Sequence, residues 1–411
     1  MSIELTQARI SNISIKVLFG AFIFFTTISS FVAIYTGVYG GDFISLNMMA
    51  VPSDITVSTF EVFLAHLIMI LIFTFGNRIT IKNKIINVGD NGSMSLHVFF
   101  SFIILFAMIV VTFTTTGSII REGYSNRALS VAFELIQPFY LSIIYFYVYN
   151  DCKLKVYKVN AFLFVLSCLL TGFTGYILYA LPFMIKYAIE KIGIKAILLL
   201  SPLAIISLPL LHMYKFMLKY NMTVIDMLNW LDFEKILAFS RSIIDRFSYV
   251  PNIIFIRDNN QYFYEFISKP ENNPVFQGYI GSFIEKIFVG KTSGNINLEL
   301  TSVLMNFNDV NSNSTFSLIS YFHVDLLFGF FVIIYSCVLF FILKMLFEML
   351  IGSRRKYIPF LLFAPTYLYL FQGWFWPYMN FIQAAIIFFI MTAILKCFRK
   401  RQSFSNHLKM S

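Results

Sequence analysis

Stretches of about 20 mainly apolar residues recur along this chain, the length a helix needs to cross a bilayer. The first runs from Val17 to Tyr39. Inside a hydrocarbon layer the backbone must satisfy its own hydrogen bonds, so each stretch is read as a helix. Hydrophobic residues make up 58% of the 411 and charged residues 13%, with 50 phenylalanines, more apolar side chain than a water-facing surface hides. The expected fold class is therefore an all-α polytopic membrane protein with about ten transmembrane helices. The spans are 17–39, 57–75, 96–116, 131–149, 160–175, 176–190, 196–214, 322–347, 358–373 and 378–396.

Ten spans put both termini on one side, and the positive-inside rule says which. The N-terminal segment, the tail around Arg399 to Arg401 and four connections carry Arg78, Lys82, Lys84, Lys153, Lys155, Lys158, Lys191, Lys195 and Arg354 to Lys356. The short opposite loops hold only Arg121 and Arg127. The expected placement is a bacterial inner membrane with both termini cytoplasmic. Residues 17–39 act as a retained signal anchor rather than a cleaved leader, being longer than a leader core and followed by no small-residue cleavage site. Four parts follow: a membrane bundle at 1–214, a large periplasmic loop at 215–321, a second membrane bundle at 322–397 and a basic tail at 398–411.

Basic residues sit in clusters beside spans, where they orient helices, so the net charge of +10 does not indicate a nucleic-acid partner. Four cysteines, two within spans and two on the cytoplasmic side, offer no disulfide framework and no CxxC metal site. Neither metal nor cofactor is expected. In the large loop, 223–249 has a helical, nearly span-like pattern suited to a membrane surface. Residues 258–314 are polar, rich in Asn and Tyr, and broken by Pro270, Pro274, Gly278, Gly281 and Gly290, which suggests a folded cap with a polar cleft.

No soluble-enzyme motif is present: no Walker loop, GxGxxG, HExxH or GxSxG. Arginine marks the outer face instead, with Arg121, Arg127, Arg241, Arg246 and Arg257, and Lys291 as a weaker sixth cation. Guanidinium groups stay charged and hold phosphate bidentately, as a pyrophosphate at the membrane surface requires. Each has a plainer role open to it. Arg241 has an ion-pair partner at Asp245 on the same helical face, Arg246 and Arg257 can reach lipid headgroups, and Arg121 and Arg127 can anchor the ends of spans. Glu134, with Gln137 and Pro138 one turn on, is the one intramembrane carboxylate in this reading, and its alternative is a helix–helix hydrogen bond. His323 opens the eighth span and is a candidate base for a sugar hydroxyl, or else structural. Tyr249, Tyr262 and Tyr264 are candidate stacking surfaces for sugar rings; packing is the alternative.

Four local features give the chain a likeness to a known family. A lysine-rich segment at 153–158 precedes a span ending Leu-Thr-Gly-Phe-Thr-Gly (170–175), which turns at once into another span. The outer loop contains Gly278-Tyr-Ile-Gly-Ser-Phe-Ile-Glu-Lys-Ile-Phe. It closes with Asn313-Ser-Thr-Phe before Tyr321-Phe-His-Val-Asp-Leu-Leu-Phe-Gly329. Over nearly its whole length the layout resembles the bacterial O-antigen (oligosaccharide repeat-unit) polymerases of the Wzy type. Two departures stand out: Thr174 occupies a turn position where many relatives carry arginine, and the usual Tyr-x-Asn-Phe-Gly segment is altered.

The resemblance implies a GT-C-like glycosyltransferase architecture and metal-independent glycosyl transfer at the periplasmic face. A growing glycan would leave undecaprenyl pyrophosphate and join a second lipid-linked repeat, with a chain-length regulator and a flippase as partners in the same membrane. His323 or Glu134 would serve as base, and the arginines and Lys291 would hold pyrophosphate. A flippase for the same lipid-linked glycan, an O-antigen ligase and a structural scaffold remain alternatives at this point.

Overall fold

The computed structural model describes residues 2–39, 49–78, 94–113, 126–149, 154–170, 222–230, 248–288, 296–305, 316–351 and 358–408, with isolated positions between 176 and 244. Among these the chain is helical, with no strand beyond a single bridge between Val38 and Met49. Six helices among the described residues are long and apolar enough to cross a membrane. They begin with α1 (Ser2–Thr36), α2 (Pro52–Arg78) and α3 (Met94–Phe113). The pair α4 (Arg127–Ile136) and α5 (Pro138–Val148) makes the fourth, and α6 (Lys155–Leu170) follows.

After the loop segments, α7 (Val224–Trp230), α8 (Val250–Asp258), α9 (Asn260–Ile267), α10 (Tyr279–Phe288), α11 (Ile296–Met305) and α12 (Ser320–Val324), the chain re-enters as α13 (Leu326–Ile351). It ends with α14 (Ile358–Pro365), continued by a π-helical turn to Leu370, and α15 (Phe375–Leu408). Ten spans were expected. Of those beyond the six, 160–175 overlaps α6, which ends at Leu170 with 171–175 outside the described residues, 358–373 is a shorter apolar helix, and 176–190 and 196–214 lie almost wholly outside the described residues.

Helix α2 shows which solvent the fold suits. Ile55, Ser58, Val62, Ala65, His66, Met69 and Phe73 form a buried stripe. On the opposite side Phe60, Leu64, Leu67, Leu71 and Phe75 recur every three or four residues and are 44–69% exposed. A water-facing helix would carry polar side chains there, so an apolar outer stripe fits lipid. Packing joins α1 to α2, α3 to α5 and α6, α5 to α15, and α15 to α13.

The fourth span is broken where the sequence carries Gln137-Pro138. Pro138 has no N–H for the carbonyl of Glu134 four residues back, and Gln137 takes the left-handed conformation with φ 51°. The Gln383 side chain on α15 donates to the freed carbonyls of Glu134 (3.0 Å) and Leu135 (2.7 Å). Replacing Gln383 with leucine removes both donors while keeping side-chain volume. The Glu134 carbonyl keeps the Gln137 Nε2 donor at 2.8 Å, so the expected cost is about 1–3 kcal/mol for the Leu135 carbonyl left unmet in an apolar layer, to be read as a lower melting temperature in detergent.

Candidate active site

Three segments far apart in sequence meet at the end of the bundle where α2 begins. Helix α8 packs on both α2 and α12, and α9 packs on α12. Proline at the start of α2 supplies a preset φ, and Asp54 sits in its first turn. Asp54 and Glu61 are seven residues apart, two helical turns, and so share one face of α2. Arg257, in the last turn of α8, places Nη2 3.1 Å from Asp54 Oδ1 and Nε 3.5 Å from Asp258 Oδ1. His323, on α12, places Nε2 3.0 Å from Glu61 Oε2. None of the four is sealed off: side-chain exposures are 39% for Asp54, 29% for Arg257, 24% for Glu61 and 19% for His323.

The turn after α1 completes the wall. Gly37, at φ +71°, lets the chain fold back, and Ala50 N–H donates to its carbonyl at 2.9 Å. Arg241 then donates from Nη2 to the carbonyl of Val38 at 2.5 Å. Tyr39 is buried beside this turn. Burial first, then the charges of Asp54 and Asp258, push its phenol up to about 12 against the opposing effect of Arg257. Tyr39 therefore stays a neutral hydroxyl at working pH.

Asp325, two residues beyond His323, has a separate task. It sits in extended backbone between α12 and α13, and its Oδ1 accepts from Phe328 N–H at 2.7 Å, capping the long helix. The cap fixes the break between the helices, and the break sets where His323 stands relative to α2. Under the site lies an aromatic floor. The His66 ring stacks on Phe371 at 4.5 Å between centroids, and the Tyr249 ring meets Phe371 edge-on at 5.5 Å.

Tyr249 thus belongs to the core. It was expected to end the helical stretch 223–249, but Pro251 lies in the first turn of α8, and Tyr249 precedes that helix in the left-handed conformation at φ 55°. Its burial pushes the phenol far above its ordinary range. Tyr262 and Tyr264 on α9 are 45% and 49% exposed and flank Phe263, which is fully buried against Phe316 and Phe255. The Tyr262 hydroxyl donates to Glu299, and that bond, with burial and the carboxylate charge, raises its phenol to about 12. Both rings stand on the helix that follows Arg257.

Glu134 stands elsewhere, at the break between α4 and α5, where its carboxylate accepts from Gln137 Nε2 at 3.0 Å. Among the described residues no hydrogen bond or ion pair joins it to His323. Arg127 is exposed at the first position of α4, next to the Asn126 cap, whose side chain accepts from Ala128 N–H and Leu129 N–H. Arg121, Arg246, Lys291 and Asp245 lie outside the described residues.

The sequence reading missed Asp54 and Glu61. The signal was present: Glu61 interrupts an apolar span, and an ionisable side chain there is a functional candidate by default. Nor is Glu134 the one carboxylate within a span, since Glu61 and Glu348 lie within helices of the six, and Glu348 pairs with Lys344 on α13 at 2.5 Å. No family model matches the chain, and no curated protein and no solved structure matches it.

Proposed function

We propose that this chain is a membrane glycosyltransferase that polymerises oligosaccharide repeat units carried on a polyprenyl pyrophosphate, working at the periplasmic face where α2 begins. One observation carries the reading: an imidazole paired with a carboxylate stands beside an arginine network where membrane helices emerge. With Nε2–H held by Glu61, the His323 Nδ1 is the basic atom, and the Glu61 charge stabilises the imidazolium that forms when it takes a proton. Arg257 and Arg241 supply cations at the level of a lipid-linked pyrophosphate.

In the proposed step the acceptor hydroxyl oxygen bonds to the anomeric carbon of the donor and its proton passes to His323. The carbon–oxygen bond to pyrophosphate breaks, and the lipid pyrophosphate leaves with the electron pair. Arginines near the leaving oxygen favour the charge that develops there. An activated donor of this kind requires no nucleotide. The exposed rings of Tyr262 and Tyr264 are suited to the faces of sugars entering beside Arg257.

The test is genetic and chemical. Deleting the gene in its host is expected to reduce surface glycan to lipid cores bearing one repeat unit, seen on a gel, and wild type is expected to restore the ladder. Arg257→Ala is expected to reach the membrane yet leave single repeats, because two carboxylates then face an empty position. Arg257→Lys keeps the charge but not the planar fork, and is expected to yield shortened ladders. Bare cores on deletion would indicate a ligase or a flippase instead, and an unchanged ladder would remove the glycan reading.

A further inference from the structure

Helix α10, within the segment whose composition suggested a polar cap, has the wrong side facing out for a helix in water. At about 100° per residue its ten positions divide cleanly. Ile280, Phe283, Ile284, Ile287 and Phe288 fill one continuous arc, and Tyr279, Gly281, Ser282, Glu285 and Lys286 fill the other. Three side chains of the apolar arc are exposed: Phe283 is 61%, Ile284 40% and Ile287 63% accessible.

The turn leading into α10 reaches below the ends of two spans. The segment that leads into α12 lies against the turn that precedes α15, since Ser317 N–H donates to the Gln372 carbonyl at 2.8 Å and Leu318 N–H to that of Phe371 at 3.0 Å. Tyr335 lies nine residues beyond the start of α13, about 13 Å along the axis. Its hydroxyl, leaning back toward the helix start, donates to the Val275 carbonyl at 3.4 Å and meets Met379 Sδ at 3.8 Å. Met379 is four residues into α15, about 6 Å along. Gly278 packs so closely on it that an added Cβ would stand 2.6 Å from Met379 Cβ. Residues 275–278 are therefore seated against Tyr335 of α13 and against the second turn of α15. On α13 the neighbouring Phe331, Ile334 and Val338 are exposed along a span.

We propose that α10 is an interfacial helix lying in the leaflet on the loop side, with Phe283, Ile284 and Ile287 among lipid acyl chains. The opposite arc, which carries Gly281 and Ser282, faces headgroups and water. The occupant of the exposed face is bilayer lipid, because α10 packs on the span α15 and the turn leading into it meets Tyr335, well inside the span α13. A solvated cap would place the same three side chains in water beside an available membrane. The inference stands apart from the proposed reaction and holds whether or not the chain transfers sugars.

The experiment uses the wild-type chain in lipid nanodiscs containing a phospholipid with a diazirine on its acyl chain. After photolysis, adducts are mapped by mass spectrometry. Adducts on Phe283, Ile284 and Ile287 are expected at yields comparable to Ile334 on α13. Adducts on Ile334 with none on α10 would overturn the proposal, as would water-borne hydroxyl-radical oxidation of Phe283. Crosslinks between two copies through α10, replacing lipid adducts there, would assign the face to a second copy and overturn it as well. A double variant, Phe283→Glu with Ile287→Glu, is expected to lose the α10 adducts while keeping those on Ile334, whereas Ser282→Glu on the polar arc is expected to retain both sets.

Discussion

His323→Ala is expected to lower the rate of repeat-unit joining by about 10²–10⁴-fold, the span that a positioned general base contributes, while the protein still folds and reaches the membrane. The side chain is partly exposed and its bond to Glu61 is the contact at stake, so the loss falls on turnover rather than on stability. Glu61→Gln separates orientation from charge. It keeps an acceptor for His323 Nε2 but removes the anion that stabilises an imidazolium, a difference of about 1–1.5 kcal/mol between a charged and a neutral hydrogen bond. That corresponds to about 5- to 13-fold in rate. Purified protein with a lipid-linked repeat as sole substrate, and product length read by mass spectrometry, measures both. If His323→Ala extends chains at the wild-type rate, the Glu61–His323 pair is structural and the proton must go to another group.

The second large effect concerns stability. Lys344 and Glu348 pair inside α13 with side-chain exposures of 3% and 4%, beside the buried Phe340, Leu343 and Phe347. Lysine preceding glutamate by four is the less favourable order on an isolated helix, so the pair owes its place to the bundle rather than to helix formation. Lys344→Met deprives the Glu348 carboxylate of that ammonium in an apolar setting and is expected to cost about 3–5 kcal/mol. Lys344→Met combined with Glu348→Leu replaces both charges by apolar volume and is expected to recover most of the loss. Thermal melting in detergent, followed by size-exclusion chromatography, distinguishes the two. Equal damage from the single and double variants would mean that the carboxylate serves the bundle through contacts other than Lys344.

Local chemistry made much of this legible in advance. Apolar length alone marks α1, α2, α3, α13 and α15 as spans, because lipid imposes the same demand on any backbone that enters it. Arg241, Arg257 and His323 were legible as site candidates, since cations and an imidazole stand out in so apolar a chain. The break at Gln137-Pro138 was foreshadowed by proline, although the spacing alone reads 131–149 as one helix. The inverted face of α10 was hidden, because an amphipathic pattern gives the two arcs but not the direction each faces.

What the sequence determined by itself is therefore the solvent of the fold and the kinds of side chain available to its site, both properties of residues and their near neighbours. Which charges meet was decided by tertiary structure: Arg257 reaches Asp54 across about two hundred positions, and His323 reaches Glu61 across more. Periodicity runs along one helix, whereas these pairings depend on α8 packing against both α2 and α12. The same packing buried Tyr249 and left Tyr262 and Tyr264 exposed, although all three are equally plausible sugar platforms as isolated letters.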